Sequence, residues 1–284
     1  MITVKVFGGL GNQLFQYAFG QYASQKLGVP VRYDVQTSIE AKNFTKRTLG
    51  LDYFCLEGDF FTEPVSDMGT IDRLKRKLIQ EFPGISPHRF VQKHAHDFSL
   101  ELKDGKYYEG YWQGWQYLEE ISLHLRTVLV PTPNFFEKHA NLLEKMRLTN
   151  SVSIHIRRED YLSVPKNTHI YHICDEQYYE RAMNAVINEK GQGNFFVFTQ
   201  DSEWAGKHFP EGKFTHVKGN SAVEDLLLMS FCKHNIIGNS TFSWWAAWLN
   251  PHREKMVIAP QKWYINHLAK YITTLIPQSW KTVG

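Results

Sequence analysis

Cysteine is scarce and scattered in this chain. Cys55, Cys174 and Cys232 are the only three in 284 residues, and no CxxC pair occurs. Neither a disulfide framework nor a zinc knuckle fits that pattern. Long apolar runs are missing too, since none approaches the ~20 residues of a membrane span. The opening Met1-Ile2-Thr3-Val4-Lys5-Val6-Phe7 runs straight into a strand pattern, without a charged segment ahead of a cleavable apolar stretch. The expectation is a cytoplasmic chain, in which the sequons at Asn43 and Asn239 carry no glycan. Charge of one sign is in short supply: the net charge is +3 and charged residues make up 21%. That balance gives no basic footprint for nucleic acid. Internal repeats and low-complexity tracts are absent.

The D-x-D pair that holds a divalent ion on a nucleotide sugar is also lacking; Asp201-Ser202-Glu203 is the nearest approach. His94-Ala95-His96-Asp97 resembles a metallohydrolase fragment, but no second set of spaced ligands follows it, so it reads as loop. Neither a bound metal nor a cofactor is expected.

Apolar residues at 43% are enough for a sizeable core, and the length fits two domains of ordinary size. Aromatics reach 14%, including 8 Trp, which suits either ring stacking on sugars and bases or plain core packing.

Val4 to Phe7 read as a buried strand, followed by the turn Gly8-Gly9-Leu10-Gly11. A helix then runs from about Asn12 to Leu27 and stops at Gly28, and Val29 to Asp34 read as a second strand. The stretch 35–130 is less regular. Within it, residues 71–79 form a short basic amphipathic helix, either a solvated surface helix or a contact for an anionic membrane surface or a lipid-linked substrate. Pro131 and Pro133 mark a linker.

From Ser151 onward strands at 152–157, 194–199, 214–217, 235–238 and 256–259 alternate with helices at 175–190, 202–208, 221–233 and 241–249. Ser221 and Glu224 make a capping box. Such alternation predicts a parallel sheet covered on both faces. The expected organisation is an α/β protein of two halves facing a cleft, an acceptor-side domain over 1–148 and a nucleotide-sugar domain over 149–284.

Three constellations carry chemistry. In Gly8-Gly9-Leu10-Gly11-Asn12-Gln13, glycines let the backbone approach a ligand and a helix N-terminus favours negative charge. Gly9-x-Gly11 with Asp34 invites a dinucleotide reading, but Leu14 stands where the third glycine belongs and would hold helix and strand apart. Asn12 and Gln13 instead offer amides to hydroxyl groups.

In Ser153-Ile154-His155-Ile156-Arg157-Arg158-Glu159-Asp160-Tyr161, strand alternation sends Ile154 and Ile156 one way and His155 and Arg157 the other. A guanidinium at the carboxyl end of such a strand can grip a phosphate, with His155 bonding the same group. The competing use is an ion pair of Arg157 or Arg158 with Glu159 or Asp160. In Asn239-Ser240-Thr241-Phe242-Ser243-Trp244-Trp245, Ser240 or Thr241 caps a helix whose free N–H groups can stabilise a diphosphate leaving group. Trp244 and Trp245 also fit as pure core.

Taken together, Gly9 to Tyr17, His155 to Tyr161 and Asn239 to Trp245 resemble the alpha-1,2-fucosyltransferases, as do Tyr111-Trp112-Gln113, Phe198-Thr199-Gln200-Asp201, Gly219-Asn220-Ser221 and Glu224-Asp225-Leu226. The resemblance spans nearly the whole chain in order. It implies a GT-B fold of two Rossmann-like domains, GDP-L-fucose as donor, a terminal galactose-type acceptor attacked through its 2-hydroxyl, inversion at the anomeric carbon and no metal. One departure stands at Gln200, where the family often has Asp.

On this reading His155, Arg157, Asp201, Ser240, Thr241, Phe242, Ser243 and Gly11 bind the donor, with Asp201 accepting from the guanine edge. Asn12, Gln13, Trp112 and Gln113 bind the acceptor. Arg157, Asp160 and Asn12 are the catalytic candidates, with Asp160 either the base or an orienter of Arg157. The alternatives are a transferase of another GDP-sugar or other nucleotide sugar, a dinucleotide oxidoreductase, and a non-catalytic glycan-binding protein.

Overall fold

In this computed structural model residues 1–35, 49–62 and 70–284 are described, with the backbone alone for 70–72, 83, 159, 160, 165 and 166. The chain divides into two compact units, Met1–Val130 and Pro131–Gly284. Each is an all-parallel sheet covered by helices, so the α/β class and the two Rossmann-like sheets expected from the sequence are both present. No helix among the described residues is long and apolar enough to cross a membrane.

The first unit begins with β1 (Ile2–Lys5), α1 (Leu10–Leu27) and β2 (Val31–Asp34). Then come β3 (Asp59–Phe61), α2 (Thr70–Glu81), β4 (Arg89–Val91), β5 (Tyr107–Glu109), α3 (Gln116–Glu120) and α4 (Ser122–Val128). The strand order is β3-β2-β1-β5-β4. The opening strand pairs two residues earlier than the sequence pattern indicates: Val6 N makes the last bond to β2, on the Asp34 carbonyl at 2.8 Å, and the N–H of Phe7 is taken by Gln16 Oε1 at 2.8 Å.

The two faces of this sheet differ in chemistry. Tyr33 and Tyr108 pack against Tyr17 and Phe19 of α1, burying large rings that favour tilted and edge-on contacts. Lys5, Asp34, Arg89, Tyr107 and Glu109 lie on the other face by register. There Glu109 is buried among Lys5, Arg76 and Arg89. Burial raises its pKa, but the three cations together hold it below the usual carboxylate range. Asp34, the acid of the rejected dinucleotide pattern, accepts the Tyr107 hydroxyl at 2.5 Å.

The second unit opens with α5 (Pro133–Lys138) and α6 (Ala140–Leu148). It continues through β6 (Ser151–Ile156), α7 (Glu159–Ser163), α8 (Pro165–Thr168), α9 (Glu176–Lys190), β7 (Asn194–Thr199), α10 (Ser202–His208), β8 (Thr215–Val217) and α11 (Ala222–Phe231). It ends with β9 (His234–Ile236), α12 (Thr241–Leu249), β10 (Val257–Pro260), α13 (Ile272–Leu275) and β11 (Lys281–Val283). The order is β11-β10-β9-β6-β7-β8.

Strand β6 is buried along its whole length, and its alternation sorts the two faces. Ile154 and Ile156 join Tyr178, Tyr179 and Ala182 of α9 in one core. Ser153 faces the other side, where its hydroxyl accepts from Asn235 at 2.8 Å. Asn235 Oδ1 in turn accepts from Asn250 at 2.7 Å, so these buried amides satisfy one another. The Ser221–Glu224 capping box of α11 is formed as the sequence predicts. Glu224 also reaches Lys138 of α5 at 2.6 Å and His139 at 3.2 Å, which ties α5 to α11.

Candidate functional site

The carboxyl end of β6 and the N-terminus of α12 meet at one point in the second unit. His155, 6% exposed, sets its Nδ1 2.9 Å from Ser243 Oγ. The ring of Phe242 stands 5.2 Å from the imidazole. Burial, reinforced by the Arg157 charge, lowers the His155 pKa to about 3, so the imidazole is neutral. Ser240 is the residue that caps α12, its hydroxyl accepting from Phe242 N at 3.4 Å. Thr241 opens the helix itself.

Gly238 lets these segments come together. A Cβ there would lie 3.2 Å from the His155 carbonyl oxygen and 3.5 Å from the Tyr179 hydroxyl. That hydroxyl already donates to the same carbonyl at 3.1 Å, so any side chain would disturb the bond that aims the end of β6. Asn239, wholly buried, donates to the carbonyls of His172 and Trp263 and fixes the loop from the opposite side. Trp244 and Trp245 are fully buried, which puts their rings in the core.

Arg157 leaves the strand end with its guanidinium 5.8 Å from the Tyr161 ring and Nη1 3.5 Å from Gln200 Oε1. Tyr161 is held by its hydroxyl on the Asn239 carbonyl at 2.8 Å and by stacking on Tyr171 at 4.5 Å. Asp160 lies outside the described residues as far as its side chain is concerned.

Asp201 has two engagements. Its Oδ1 accepts from Trp204 N at 3.1 Å as the cap of α10, and its Oδ2 lies 3.5 Å from Arg158 Nε. Arg158 stacks on Trp204 with 4.4 Å from guanidinium carbon to ring centre. The described ion pair of Arg158 is therefore with Asp201 at the end of the neighbouring strand.

In the first unit the glycine turn is built from within. Gly8 adopts φ +81, a conformation that side chains rarely take, and a Cβ there would press on Asn12 Nδ2 at 3.0 Å. Gly9 caps α1, and Gly11 is buried in its first turn. Gln13 braces the turn: its amide donates to the Gly8 carbonyl at 2.9 Å and accepts from Gly50 N at 2.9 Å. Asn12 is less buried, and its Oδ1 accepts from Gln113 Nε2 at 2.9 Å.

Trp112 is fully buried, stacked on Phe19 at 3.8 Å. It has φ 56, the one non-glycine residue in the left-handed region among the described residues. Gln92 holds this backbone: its Oε1 accepts from Tyr111 N at 2.8 Å and Trp112 N at 3.1 Å. Its Nε2 donates to the carbonyls of Ala95 at 3.3 Å and Asp97 at 2.9 Å. His96 adds a fifth tie, donating from Nδ1 to the Gln113 carbonyl at 2.7 Å. The His94–Asp97 segment is thus a turn that shapes the 111–113 backbone. Gln92 escaped the sequence reading, and His96 entered it only as part of a loop, because their partners lie in backbone groups that no pattern identifies.

A cation, a neutral imidazole and a capped helix N-terminus at one strand end of a parallel α/β unit have the chemistry to meet a phosphate group. Comparison with known proteins gives the chain a class. The chain is 32% identical to an alpha-1,2-colitosyltransferase of Escherichia coli over 93% of this chain and 92% of that one. It is 29% identical to the Escherichia coli O-antigen biosynthesis glycosyltransferase WbnK over 94% and 96%. It is 25% identical to galactoside alpha-(1,2)-fucosyltransferase 2 of Bos taurus over 49% of this chain and 44% of that one. Its fold is similar to a solved structure of NodZ alpha-1,6-fucosyltransferase soaked with GDP-fucose, with TM-score 0.51, 14% identity and 88% and 92% of the two chains covered.

The protein is a glycosyltransferase with the α/β architecture of the GT-B type. Residues 76–282 match the model of glycosyl transferase family 11, and the chain belongs to that family.

Proposed function

We propose that this enzyme transfers L-fucose from GDP-β-L-fucose to the 2-hydroxyl of a terminal galactose-type residue, with inversion and without a metal ion. The observation that carries the reading is the convergence of His155, Arg157 and the Ser240-capped helix end on one strand terminus. Membership of family 11 and the names of the relatives support the α-1,2 linkage and a 6-deoxy sugar, and the similar NodZ fold, solved after soaking with GDP-fucose, supports a GDP-linked donor.

Arg157 neutralises the β-phosphate as the glycosidic bond stretches. The N–H groups of α12 and His155 Nε2, the ring nitrogen left over from the Ser243 contact, stabilise the remaining charge on departing GDP. The acceptor hydroxyl attacks from the opposite face and needs a base to take its proton; Asp160 is the candidate, and Asn12 orients the hydroxyl. We assign the donor to the second unit and acceptor contacts to Asn12 and Gln113 of the first. The acceptor is a glycan, free or lipid-linked, of the kind assembled into polysaccharide or O-antigen.

GDP release from GDP-fucose, in EDTA, with and without β-galactosides, tests this. Release that depends on acceptor and survives EDTA is expected, and Arg157→Ala should lower turnover by about 10²- to 10³-fold. A near-wild-type rate in that variant sinks the assignment of Arg157. A second donor, GDP-colitose, is favoured by the relative that shares 32% identity over 93% of the chain. Colitose lacks one hydroxyl of fucose, so kcat/KM for the two donors, measured side by side, decides between them.

A further inference from the structure

Helix α2 is turned inside out. Leu74 and Leu78 of the helix and Phe82, the residue after it, recur at four-residue steps and form one apolar stripe, which Ile85 extends. On an ordinary surface helix that stripe would face the core. Here the four side chains are 62%, 47%, 62% and 55% exposed. They are four of the twelve large apolar side chains that stand exposed among the described residues, gathered on one short stretch.

The polar face of the helix is the one that docks. Arg76 Nε donates to Glu109 Oε1 at 2.6 Å, and Gln80 Nε2 donates to the Gln92 carbonyl at 3.0 Å. Glu109 is only 4% exposed, so rolling the helix to bury its leucines would strip a cation from a buried carboxylate. The outward stripe is therefore fixed by the charge beneath it.

The flanks of the stripe say what it meets. At 100° per residue Lys75 and Lys77 fall on either side of the leucines, with Arg73 further round, and all three are exposed. Among the described side chains of the helix the acid is Glu81, which falls beside Leu74 at the edge of the stripe and is paired with Lys93 at 2.6 Å. An apolar strip a few side chains wide between exposed cations matches the boundary between acyl chains and anionic headgroups. From this arrangement we infer that α2 is a docking surface for a phospholipid bilayer carrying anionic headgroups, lying in the plane of the interface with Leu74, Leu78 and Phe82 inserted. The inference does not depend on which sugar the enzyme transfers.

Flotation of the full-length protein with vesicles of phosphatidylcholine alone, or with about a third phosphatidylglycerol, tests it. The expected result is flotation with the anionic vesicles only, weakened by salt. The double variant Lys75→Glu, Lys77→Glu should bind them at least about 25-fold more weakly, at about fivefold per cation removed. Leu74→Glu with Leu78→Glu should stay with the soluble fraction. Both double variants should keep the thermal midpoint and the turnover on a soluble acceptor, since their side chains point to solvent. Failure of the wild type to float, or equal flotation of the leucine variant, overturns the inference. So does a wild-type dimer that Leu74→Glu with Leu78→Glu converts to monomer in light scattering, because the stripe would then serve a second copy of the chain.

Discussion

Ser243 and His155 settle between them where two hydrogens lie, that of the hydroxyl and that of the neutral imidazole. Ser243 Oγ is 2.9 Å from His155 Nδ1 and 3.3 Å from the Ser240 carbonyl oxygen, and the hydroxyl has one hydrogen to give. If it goes to the carbonyl, His155 donates from Nδ1 and Nε2 is an acceptor. If it turns to Nδ1, Nε2 carries the hydrogen and becomes a donor, the form that a phosphate oxygen requires. Because burial keeps the imidazole uncharged, the rotor of Ser243 decides which tautomer meets the ligand.

Ser243→Ala should therefore weaken GDP binding. The variant leaves a buried ring nitrogen without its partner and removes control of the tautomer, a loss of about 1–3 kcal/mol, or roughly tenfold in affinity. Ser243→Thr, which keeps the hydroxyl, should recover most of it. Calorimetry of GDP binding to the three proteins checks this, and an Ala variant that binds like the wild type would remove Ser243 from the site.

Acid should destabilise the protein earlier than its carboxylates alone would cause. Three buried imidazoles are held neutral: His155, with a pKa of about 3, His96, lowered to about 4 by burial against the pull of the Gln113 carbonyl, and His234, lowered to about 4 by burial and by the Lys190 charge. Unfolded, each titrates near the ordinary 6.5. Between that value and the folded pKa the unfolded chain binds more protons, so stability is full above pH 6.5 and falls as pH drops through this window. Each group contributes about 1.4 kcal/mol per pH unit there. Urea midpoints between about pH 7 and pH 4.5 should show the decline, and the triple variant His155→Gln, His96→Gln, His234→Gln should flatten it. An unchanged slope in that variant would mean that none of the three imidazoles governs it.

Asp201→Asn separates two roles of one side chain. The carboxylate caps α10 through Trp204 N and faces Arg158. Asn caps a helix about as well as Asp, so the thermal midpoint should hold within about 2 °C. If Asp201 accepts from the guanine edge, the amide cannot accept on both oxygens, and the preference for GDP over other nucleoside diphosphates should fall about tenfold. Unchanged base selectivity, read by competition binding, would leave Asp201 as cap and ion-pair partner alone.

How much of this was legible in the sequence follows from the range of each interaction. Local rules held: the alternation at Ile154-His155-Ile156 sorted the faces of β6, Ser221 and Glu224 announced their capping box, and Gly28 ended α1. The strands β3, β4, β5 and β11 have three residues each, too few to show a period of two, and they are defined by pairing with distant partners. The same holds for charge. Glu109 is understood only when Lys5, Arg76 and Arg89 are brought to it from across the unit. Arg158 has near neighbours of opposite charge in sequence, yet its described partner, Asp201, stands on the next strand's end. Trp112, expected at the acceptor, looks like a sugar-stacking ring in sequence, and its burial and its left-handed backbone become visible only in the fold.

That strained backbone is the basis of a last test, on Gln92. Its amide accepts from Tyr111 N and Trp112 N and donates to the carbonyls of Ala95 and Asp97, so it holds Trp112 at φ 56, a conformation that costs about 1–3 kcal/mol in a non-glycine residue. Gln92→Ala should lower stability by about 1–3 kcal/mol, as the buried Trp112 N–H and three part-buried backbone groups lose their partner, offset in part by the strain released. The next residue, Gln113, is the one bonded to Asn12, so relaxation of Trp112 should also misplace Asn12. If Asn12 and Gln113 bind the acceptor, the variant should show a raised KM for the acceptor while GDP affinity stays at the wild-type value. A matching loss of GDP affinity would mean that this segment supports the donor as well, and a lowered denaturation midpoint with both constants unchanged would confine Gln92 to the fold.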